Sequence, residues 1–356
     1  MTKVLVGGAG GAPSEGVIRS LLLAGIDVVG MGSDPTDLVM SNAKTRYHVP
    51  RADHPDYADS LMRVINREKP DLVHFQNDLE VYNASRIRES ILNSGTRLFM
   101  PRHSVIDTAV HKFKSWERFR DAGIKVPSNI LLRGTGDLGD AFAELGDRNG
   151  KIWIRSVDIG GGGKGSLATH DFDFAKSWIK HHDGWGHFAA ASLLTDRSIT
   201  WTSIWFEGDL VVAQARSRQG WTHGDRSVSG VTGVTKVGVT VNSSDVDRIS
   251  MAAIRAIDDQ PHGIYSVDLT YDWEDTPNPT EINISRFFTT ILFFTMAGLN
   301  LPEIFVRLGM NGRTGLDFEK SAKLSPLPQG LMWFRAMDRE PFLGDASSIP
   351  DSVLIP

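Results

Sequence analysis

The segment VDLTYDWEDTPNPTEINISR, residues 267–286, contains the residue types that most clearly indicate chemistry. Two short runs flank a turn rich in Asp, Pro and Asn, which predicts a β-hairpin. Side chains alternate along a strand, so Asp268 and Asp272 share one face of the first strand. By the same rule, Glu281 and Asn283 share a face of the second strand. If the two faces coincide, their oxygens form the ligand set that Mg²⁺ takes alongside phosphate. Otherwise the hairpin presents an ordinary polar face to solvent.

A glycine-rich run, GGGGKG at 160–165, follows the predicted strand IWIR. Four consecutive glycines lose much conformational entropy when they become ordered, so an ordered loop there needs a ligand. Backbone N–H groups in such a loop can cradle phosphates, with Lys164 as a mobile positive charge. The run is not a Walker loop, because the pattern G-x-x-x-x-G-K-[ST] does not match. A flexible linker is the alternative.

Charged residues in two other segments are candidates for ligand contacts. Asp78 and Glu80 follow the carboxyl end of the predicted strand DLVHF, where open α/β sheets bind their ligands. A solvated turn is the alternative for that pair. Arg216 and Arg218 alternate onto one face of a predicted strand, where they can bind an anion or act as solubilising charges on an edge strand.

Length and composition limit the class of protein. A chain of 356 residues is long enough for two or three domains. Its 41% hydrophobic and 23% charged residues are typical of a soluble globular protein, and a net charge of −5 argues against sequence-independent nucleic-acid binding. The absence of cysteine excludes disulfides and thiolate chemistry and fits the cytoplasm. The longest apolar stretch, 287–299, is too short to span a membrane.

The first hundred residues alternate predicted strands and helices, which indicates a parallel, Rossmann-like sheet. Strands are predicted at Lys3–Val6 and 27–31, and a helix at Tyr57–Glu68. Gly8 and Gly10 match the dinucleotide fingerprint, but Pro13 occupies its third glycine position. An NAD-linked oxidoreductase with Asp34 as the ribose acid is therefore an alternative. Ser14 and Glu15 begin the first helix, either as a cap pair or as ligand contacts.

Three further elements are predicted towards the C-terminus. One helix is expected from Thr108 to Gly123, and another at 244–256. Residues 287–308 indicate a buried helix, a turn and an amphipathic helix. Beyond Gly309 the Pro-rich sequence predicts an irregular tail.

Taken in order, four motifs resemble the ATP-grasp superfamily and, within it, the carbamoyl-phosphate-synthase-like proteins. The motifs are HKFKSWERFRDAGIKVP, WIRSVDIGGGGKGS, VDLTYD with TEINISRF, and AGLNLPEIFVRL. The resemblance implies an α/β fold with a Rossmann-like preliminary domain at 1–107 and a two-lobed ATP-grasp domain at 108–308. The small lobe is expected at about 125–190. Residues 309–356 would form a tail packed on the surface.

The resemblance also implies roles for individual residues. Nucleotide binding is expected from Lys112, Arg155, Gly161, Gly162, Gly163, Lys164, Leu194 and Asp196. The expected metal ligands are Asp268, Glu281 and Asn283, with Asp272 as the rival of Asp268. Arg286 matches the arginine that stabilises the transferred phosphoryl group, and Lys164 and Arg218 are the other expected catalytic residues.

The function implied is that of an ATP-dependent carboxylate–amine ligase, which forms a C–N bond through an acyl phosphate. Its cofactors would be ATP and Mg²⁺, with Mn²⁺ as a substitute, and its partners small molecules and a second copy of the chain. The alternatives are a kinase that phosphorylates a carboxylate or carbamate without an amine acceptor, and a non-catalytic nucleotide-binding module.

Three segments are candidates for the substrate site, namely Ser14 with Glu15, Asp78 with Glu80, and the loop 227–235 with Arg216 and Arg218. Arginine forms bidentate hydrogen bonds with a carboxylate, so Arg216 or Arg218 is expected to hold the acid. Acidic groups suit an amine, so Asp78 and Glu80 are expected to face it. The alternative is that both arginines bind only the γ-phosphate.

Overall fold

The computed structural model describes residues 2–159, 163, 165–230, 233–314, 323–336 and 342–345. These residues form three sheets with helices packed against them. The expected glycine-loop residues Gly161, Gly162 and Lys164 lie outside the described residues. Within the described part of the chain, no helix has the length and apolar character needed to cross a membrane.

The N-terminal sheet has five parallel strands in the order β3-β2-β1-β4-β5. Its strands are β1 (Lys3–Val6), β2 (Asp27–Gly32), β3 (Thr45–His48), β4 (Leu72–His74) and β5 (Arg97–Leu98). Its helices are α1 (Ala12–Leu23), α2 (Pro35–Met40), α3 (Tyr57–Glu68), α4 (Asp78–Arg86), α5 (Arg88–Asn93) and α6 (His103–Val110). Val4, Leu5 and Val6 are all buried, as expected for a parallel strand with both faces covered. The predicted Rossmann-like sheet is confirmed.

A four-stranded antiparallel sheet follows the helix α7 (Lys112–Asp121). Its strands, in the order β6-β9-β7-β8, are β6 (Asn129–Leu132), β7 (Ile152–Ser156), β8 (Leu167–Thr169) and β9 (Phe188–Ser192). The helices α8 (Thr135–Leu145) and α9 (Phe172–His181) pack against it through a separate small core that includes Leu138, Ile154 and Ile179.

The third sheet has eight strands. They are β10 (Ser198–Phe206), β11 (Asp209–Trp221), β12 (Thr235–Val241), β13 (Gly263–Tyr271), β14 (Pro277–Ile284), β15 (Lys323–Leu324), β16 (Met332–Phe334) and β17 (Phe342–Gly344). The remaining elements are a 3₁₀ turn at Gly224–Arg226 and the helices α10 (Ser244–Ile257), α11 (Ile291–Met296) and α12 (Leu301–Asn311). The predicted hairpin is β13 and β14, paired antiparallel.

Two predicted elements differ from the structure. The single helix expected from Thr108 is broken at His111, whose extended backbone (φ −95, ψ 98) ends α6 before α7 begins. The next backbone amide, that of Lys112, donates to Val157 O at 3.1 Å and fixes the new helix to the strand region of the small sheet. The C-terminal segment is also not wholly irregular. β16 pairs with the edge of β12, and covering such an edge blocks strand pairing with other chains.

Candidate active site

A cavity of about 1150 Å³ is lined by residues of all three sheets and their loops. Gln76 and Asp78 come from the carboxyl end of β4, Trp153 and Arg155 from the small sheet, and Asp268 from the large one. The carboxyl edge of a doubly wound sheet is the place where such sheets bind ligands. The volume exceeds that of a pocket for one small ligand, so a nucleotide and a second molecule can fit together.

One face of the large sheet supplies most of the polar lining. In the strand register, Thr200 of β10 lies between Arg216 of β11 and Asp268 of β13. Residues directly opposite in adjacent strands point to the same side, so these three side chains share one face. Their strand neighbours, such as Trp201 and Val267, point to the other face and are buried in the core.

The hairpin brings together the three residues that the sequence singled out as metal ligands. Asp268 lies opposite Glu281 in the ladder, and Asn283 Nδ2 donates to Asp268 Oδ2 at 3.0 Å. Thr200 Oγ1 donates to the other Asp268 oxygen at 2.5 Å. The predicted coincidence of the two polar faces is therefore confirmed. Asp272 lies at the turn instead, where it accepts from Lys125 and from backbone amides, including that of Thr276.

Glu281 is the point at which the two expected phosphate-binding cations meet the hairpin. Arg155 Nη2 lies 2.8 Å from Glu281 Oε2, and Lys112 Nζ lies 3.5 Å from Glu281 Oε1. Burial acts to raise the pKa of Glu281, but the charges of Lys112 and Arg155 outweigh burial and lower the pKa to about 2. Glu281 is therefore an anion at every pH at which the protein is expected to work.

The donor set fits a divalent cation that is shared with phosphate. Among the described residues, no three His, Asp or Glu side chains cluster into a self-sufficient metal site. Asp268 and Glu281 supply carboxylates and Asn283 an amide, and Mg²⁺ commonly uses one or two carboxylates plus phosphate oxygens. These three residues would hold such an ion only together with a phosphate-bearing ligand.

Arg286 is clamped between the N-terminal sheet and the hairpin. Its Nε donates to Asp78 Oδ1 at 2.5 Å and its Nη2 to Asp78 Oδ2 at 3.0 Å, while Nη2 also donates to Asn283 Oδ1. The sequence has two residues between Asn283 and Arg286. Ser285 adopts a left-handed conformation (φ 56), which turns the chain so that Arg286 reaches back to Asn283. The ion pair with Arg286 neutralises Asp78, which the sequence analysis had suggested for amine binding.

The two arginines of β11 have different surroundings. Arg218 donates to the hydroxyls of Ser198, Thr200 and Thr235, stacks 3.9 Å from the centre of the Trp221 ring, and lies 3.7 Å from an Asp268 oxygen.

Arg216 is only 1% exposed, and its Nε donates to Thr290 Oγ1 at 3.1 Å. Its guanidinium lies 4.9 Å from the centre of the Phe288 ring, and its Nη1 has no hydrogen-bond partner. Burial lowers the pKa of Arg216 well below its ordinary value, and the charge of Arg218 acts in the same direction. A buried ion without a counter-ion costs several kcal/mol, whereas a cation–π contact contributes about 2 kcal/mol. The Phe288 contact therefore does not compensate for the burial of Arg216.

Three of the predicted substrate residues point into the glycine-rich loop after β1 rather than into the cavity. Ser14 Oγ donates to Gly7 O at 3.0 Å, and Glu15 Oε1 accepts from Gly10 N at 2.9 Å. Glu80 is 5% exposed and accepts from the amide of Gly8.

The same contacts occupy the amides that a dinucleotide pyrophosphate would use. Carboxyl oxygens of Glu15 and Glu80 already accept from the backbone N–H groups of Gly10 and Gly8. Asp34, the suggested ribose acid, instead caps α2 by accepting from the amides of Thr36 and Asp37. This geometry argues against the NAD-linked alternative.

The buried carboxyl of Glu80 makes folding stability dependent on pH. Burial raises the pKa of Glu80 from 4.5 to about 8, and its Oε2 has no hydrogen-bond partner. The stabilisation from its protonated form is therefore complete below pH 4.5 and is lost as the pH rises through about 8. We expect Glu80→Gln, which stays neutral, to be more stable than the wild type at pH 8.5 by on the order of 3 kcal/mol, with a smaller difference at pH 5.5.

Urea unfolding at the two pH values measures this difference, and the exposed Glu117→Gln is the matched control. If the Glu80→Gln and wild-type proteins lose stability in parallel as the pH rises, Glu80 is not the titrating group.

The remaining expected nucleotide residues line the cavity where the structure describes them. Leu194 and Asp196 are in the connection between β9 and β10, and Gly163 lies on another wall. Beside them is an apolar surface that includes Trp116 and Trp153. Sequence reasoning did not single out Trp153, Trp221 or Thr200. The alternation of Ser198, Thr200 and Thr202 with buried residues in SITWTSIWF was the signal for Thr200.

No family model matches the sequence, and no curated protein sequence matches it. Solved structures do match. Carboxyaminoimidazole ribonucleotide synthase from Aspergillus clavatus, complexed with ATP, superposes with a TM-score of 0.70 at 12% identity over 94% of this chain and 81% of that one. The chain has the ATP-grasp fold. An L-amino acid ligase from Bacillus licheniformis (TM-score 0.68, 10% identity, 94% and 79% covered) is similar. A biotin carboxylase from Campylobacter jejuni is also similar, with a TM-score of 0.68 at 13% identity over 94% of this chain and 75% of that one.

The ATP-grasp fold confirms the fold class expected from the four sequence motifs. At 10–13% identity these structures share the fold with this chain, and they leave its substrate open. The function must therefore be argued from the side chains of the cavity.

Proposed function

We propose that the protein is an ATP-dependent ligase that phosphorylates a carboxylate and couples the acyl phosphate to an amine, releasing ADP and phosphate. One observation carries the proposal: the acidic hairpin meets Arg155 and Arg286 in the lining of one cavity, and Lys112, which is buried, lies 3.5 Å from Glu281. Phosphoryl transfer depends mainly on positioning and on neutralising negative charge. The cations would neutralise the phosphate charge, and the two carboxylates beside them would position the phosphates through a bound metal ion.

The nucleotide phosphates would lie between the hairpin and the small sheet. Lys112 and Arg155 would bind phosphate oxygens, and Asp268, Glu281 and Asn283 would hold Mg²⁺. The metal, when bound, would neutralise charge on the phosphates. The base would pack on the apolar surface that includes Trp116 and Trp153, next to Leu194 and Asp196. Two of the similar structures contain ATP or an ATP analogue, which supports a nucleotide as the ligand.

The reacting carboxylate would lie beside Arg218. That guanidinium is 3.7 Å from Asp268, so a carboxylate bound there would be close to a metal-bound phosphate. Arginine also matches carboxylate geometry better than lysine does. We assign Asp78 to the positioning of Arg286 rather than to the amine, because both of its oxygens accept from that guanidinium. A homodimer and a cytoplasmic location remain predictions.

We expect ADP release to require an acid and an amine together. The experiment measures ADP formed from ATP and Mg²⁺ with a panel of amino acids and small acids, each with and without an amine. Release that depends on both supports the ligase. Release with the acid alone, together with an acyl phosphate that hydroxylamine traps, supports the kinase alternative. ATP binding without turnover on any pair of substrates supports the non-catalytic alternative.

A further inference from the structure

Arg216 is distinguished from the other described arginines of the cavity by its lack of a counter-ion. Arg155 is paired with Glu281, Arg286 with Asp78, and Arg197 with Asp275. Arg218 lies within 3.7 Å of Asp268. Among the described residues, no carboxylate lies within ion-pair distance of Arg216, although its side chain is almost completely buried.

The surroundings of Arg216 add positive charge. Arg335, which follows β16, donates from Nη1 to Thr289 O at 3.1 Å. Thr290, the next residue, accepts from Arg216 Nε, so the two guanidiniums flank the segment Thr289–Thr290. The charges of Arg218 and Arg335 act against that of Arg216, and the negative charge of Asp268, which acts in the other direction, lies 3.7 Å from Arg218. An anion from outside the protein would offset the cost of burying this cation.

The position of Arg216 separates it from the reaction centre. Its Nε donates to Thr290 Oγ1 and its guanidinium lies over the Phe288 ring, whereas the guanidinium of Arg218, on the same strand, lies 3.7 Å from Asp268. A carboxylate that receives a phosphoryl group must lie near the metal ligands. An anion held by Arg216 is therefore a different group from the reacting carboxylate.

The backbone around Arg216 accommodates its side chain. Gly238 lies across from Arg218 on β12, and a Cβ atom at Gly238 would be 3.3 Å from Arg216 Cδ and 3.6 Å from the Phe293 ring. A glycine at this position leaves the space that the side chain uses.

We propose that Arg216, with the Thr290 hydroxyl, binds a second anionic group of the acid substrate, a carboxylate or a phosphate that does not react. This inference rests on the proposed function, because it assigns the anion to the ligase's acid substrate. The substrate class is then an acid with two anionic groups. A purely structural role for Arg216, held by the Phe288 ring, is the competing explanation.

The first test measures thermal unfolding, which needs no turnover. The proteins are the wild type, Arg216→Met, Arg216→Lys and, as a control, Arg255→Met, which removes a cation–π arginine over Trp205 outside the cavity lining. Each is melted at constant ionic strength with chloride, inorganic phosphate, glutarate or valerate. Because an unpaired buried charge is removed, we expect Arg216→Met to melt a few degrees higher than the wild type in chloride. Glutarate or phosphate should stabilise the wild type and Arg255→Met but not Arg216→Met.

The second test compares substrates in the ADP-release assay. For acids of equal chain length, the wild type should prefer the dicarboxylate, and Arg216→Met should lose that preference by on the order of tenfold or more in kcat/KM. Arg216→Lys keeps the positive charge but lacks the paired N–H donors of a guanidinium, so its preference for the dicarboxylate should lie between those of the wild type and Arg216→Met.

The outcomes separate the two proposals. If Arg216→Met melts lower than the wild type and keeps both the anion stabilisation and the dicarboxylate preference, Arg216 is structural and the inference is overturned. If no acid releases ADP but anion stabilisation still depends on Arg216, the proposed function fails and the anion site remains. Stabilisation by phosphate but not glutarate would identify a phosphorylated acid.

Discussion

Replacing Glu281 with glutamine is expected to lower turnover by a factor of roughly 10² to 10⁴, because the change removes one of two carboxylates from the proposed metal site. It also leaves the positive charge of Arg155 without the carboxylate that lies 2.8 Å from it. Because glutamine keeps the shape of the glutamate side chain, the loss of turnover measures the effect of removing its negative charge. The pKa of Glu281 is about 2, against 4.5 ordinarily, so its charge contributes stability above pH 4.5 that is lost as the pH falls through about 2.

The measurement is ADP release as a function of Mg²⁺ concentration, with urea unfolding at the same pH. We expect the Mg²⁺ concentration for half-maximal activity to rise in Glu281→Gln. Glu274→Gln is the matched control, since Glu274 is on the exposed turn of the same hairpin and pairs only at the surface with Lys125. If Glu281→Gln loses stability but keeps wild-type turnover and Mg²⁺ dependence, Glu281 is an ion-pair residue and not a metal ligand.

Patterns with a short repeat made much of the fold predictable. The alternation of polar and apolar residues in VDLTY and TEINI sets which side chains share a face, because the strand period is two residues. That rule placed Glu281 and Asn283 on one face of their strand and Asp268 on one face of the other, and the structure brings the two faces together, with Asn283 and Asp268 joined at 3.0 Å. The parallel N-terminal sheet followed from alternating strand and helix patterns in the same way.

Contacts between distant parts of the chain were not predictable in this way. Asp78 and Arg286 are 208 residues apart, and no local pattern indicates that they pair. The break at His111 is accompanied by a hydrogen bond between Lys112 N and Val157 O, which the helical sequence on either side does not reveal. Glu80 was expected to face a ligand because of its sequence position, but its side chain binds the amide of Gly8. Each of these outcomes depends on tertiary packing.

Substitutions in the ion pair formed by Asp78 and Arg286 are expected to cause the second large loss of activity. Arg286→Lys is expected to lower kcat by roughly 10²- to 10³-fold, because a lysine cannot reproduce the two hydrogen bonds to Asp78 and the third to Asn283. Asp78→Asn keeps the size of the side chain but weakens its hydrogen bonds with Arg286, and should lower kcat by roughly 10- to 100-fold. In both variants the KM for ATP should change less than kcat, since neither residue is assigned to the nucleotide.

A double-mutant cycle shows whether Asp78 acts through Arg286 or contacts the amine. If Asp78 only positions Arg286, adding Asp78→Asn to Arg286→Lys should cost little further activity, because the interaction has already been lost. Arg307→Lys, an exposed arginine paired with Glu303, is the control for the general effect of replacing an arginine. Fully additive losses, with a raised KM for the amine in Asp78→Asn alone, would show that Asp78 binds the amine directly. The clamp seen in the structure would then be a contact that the amine displaces.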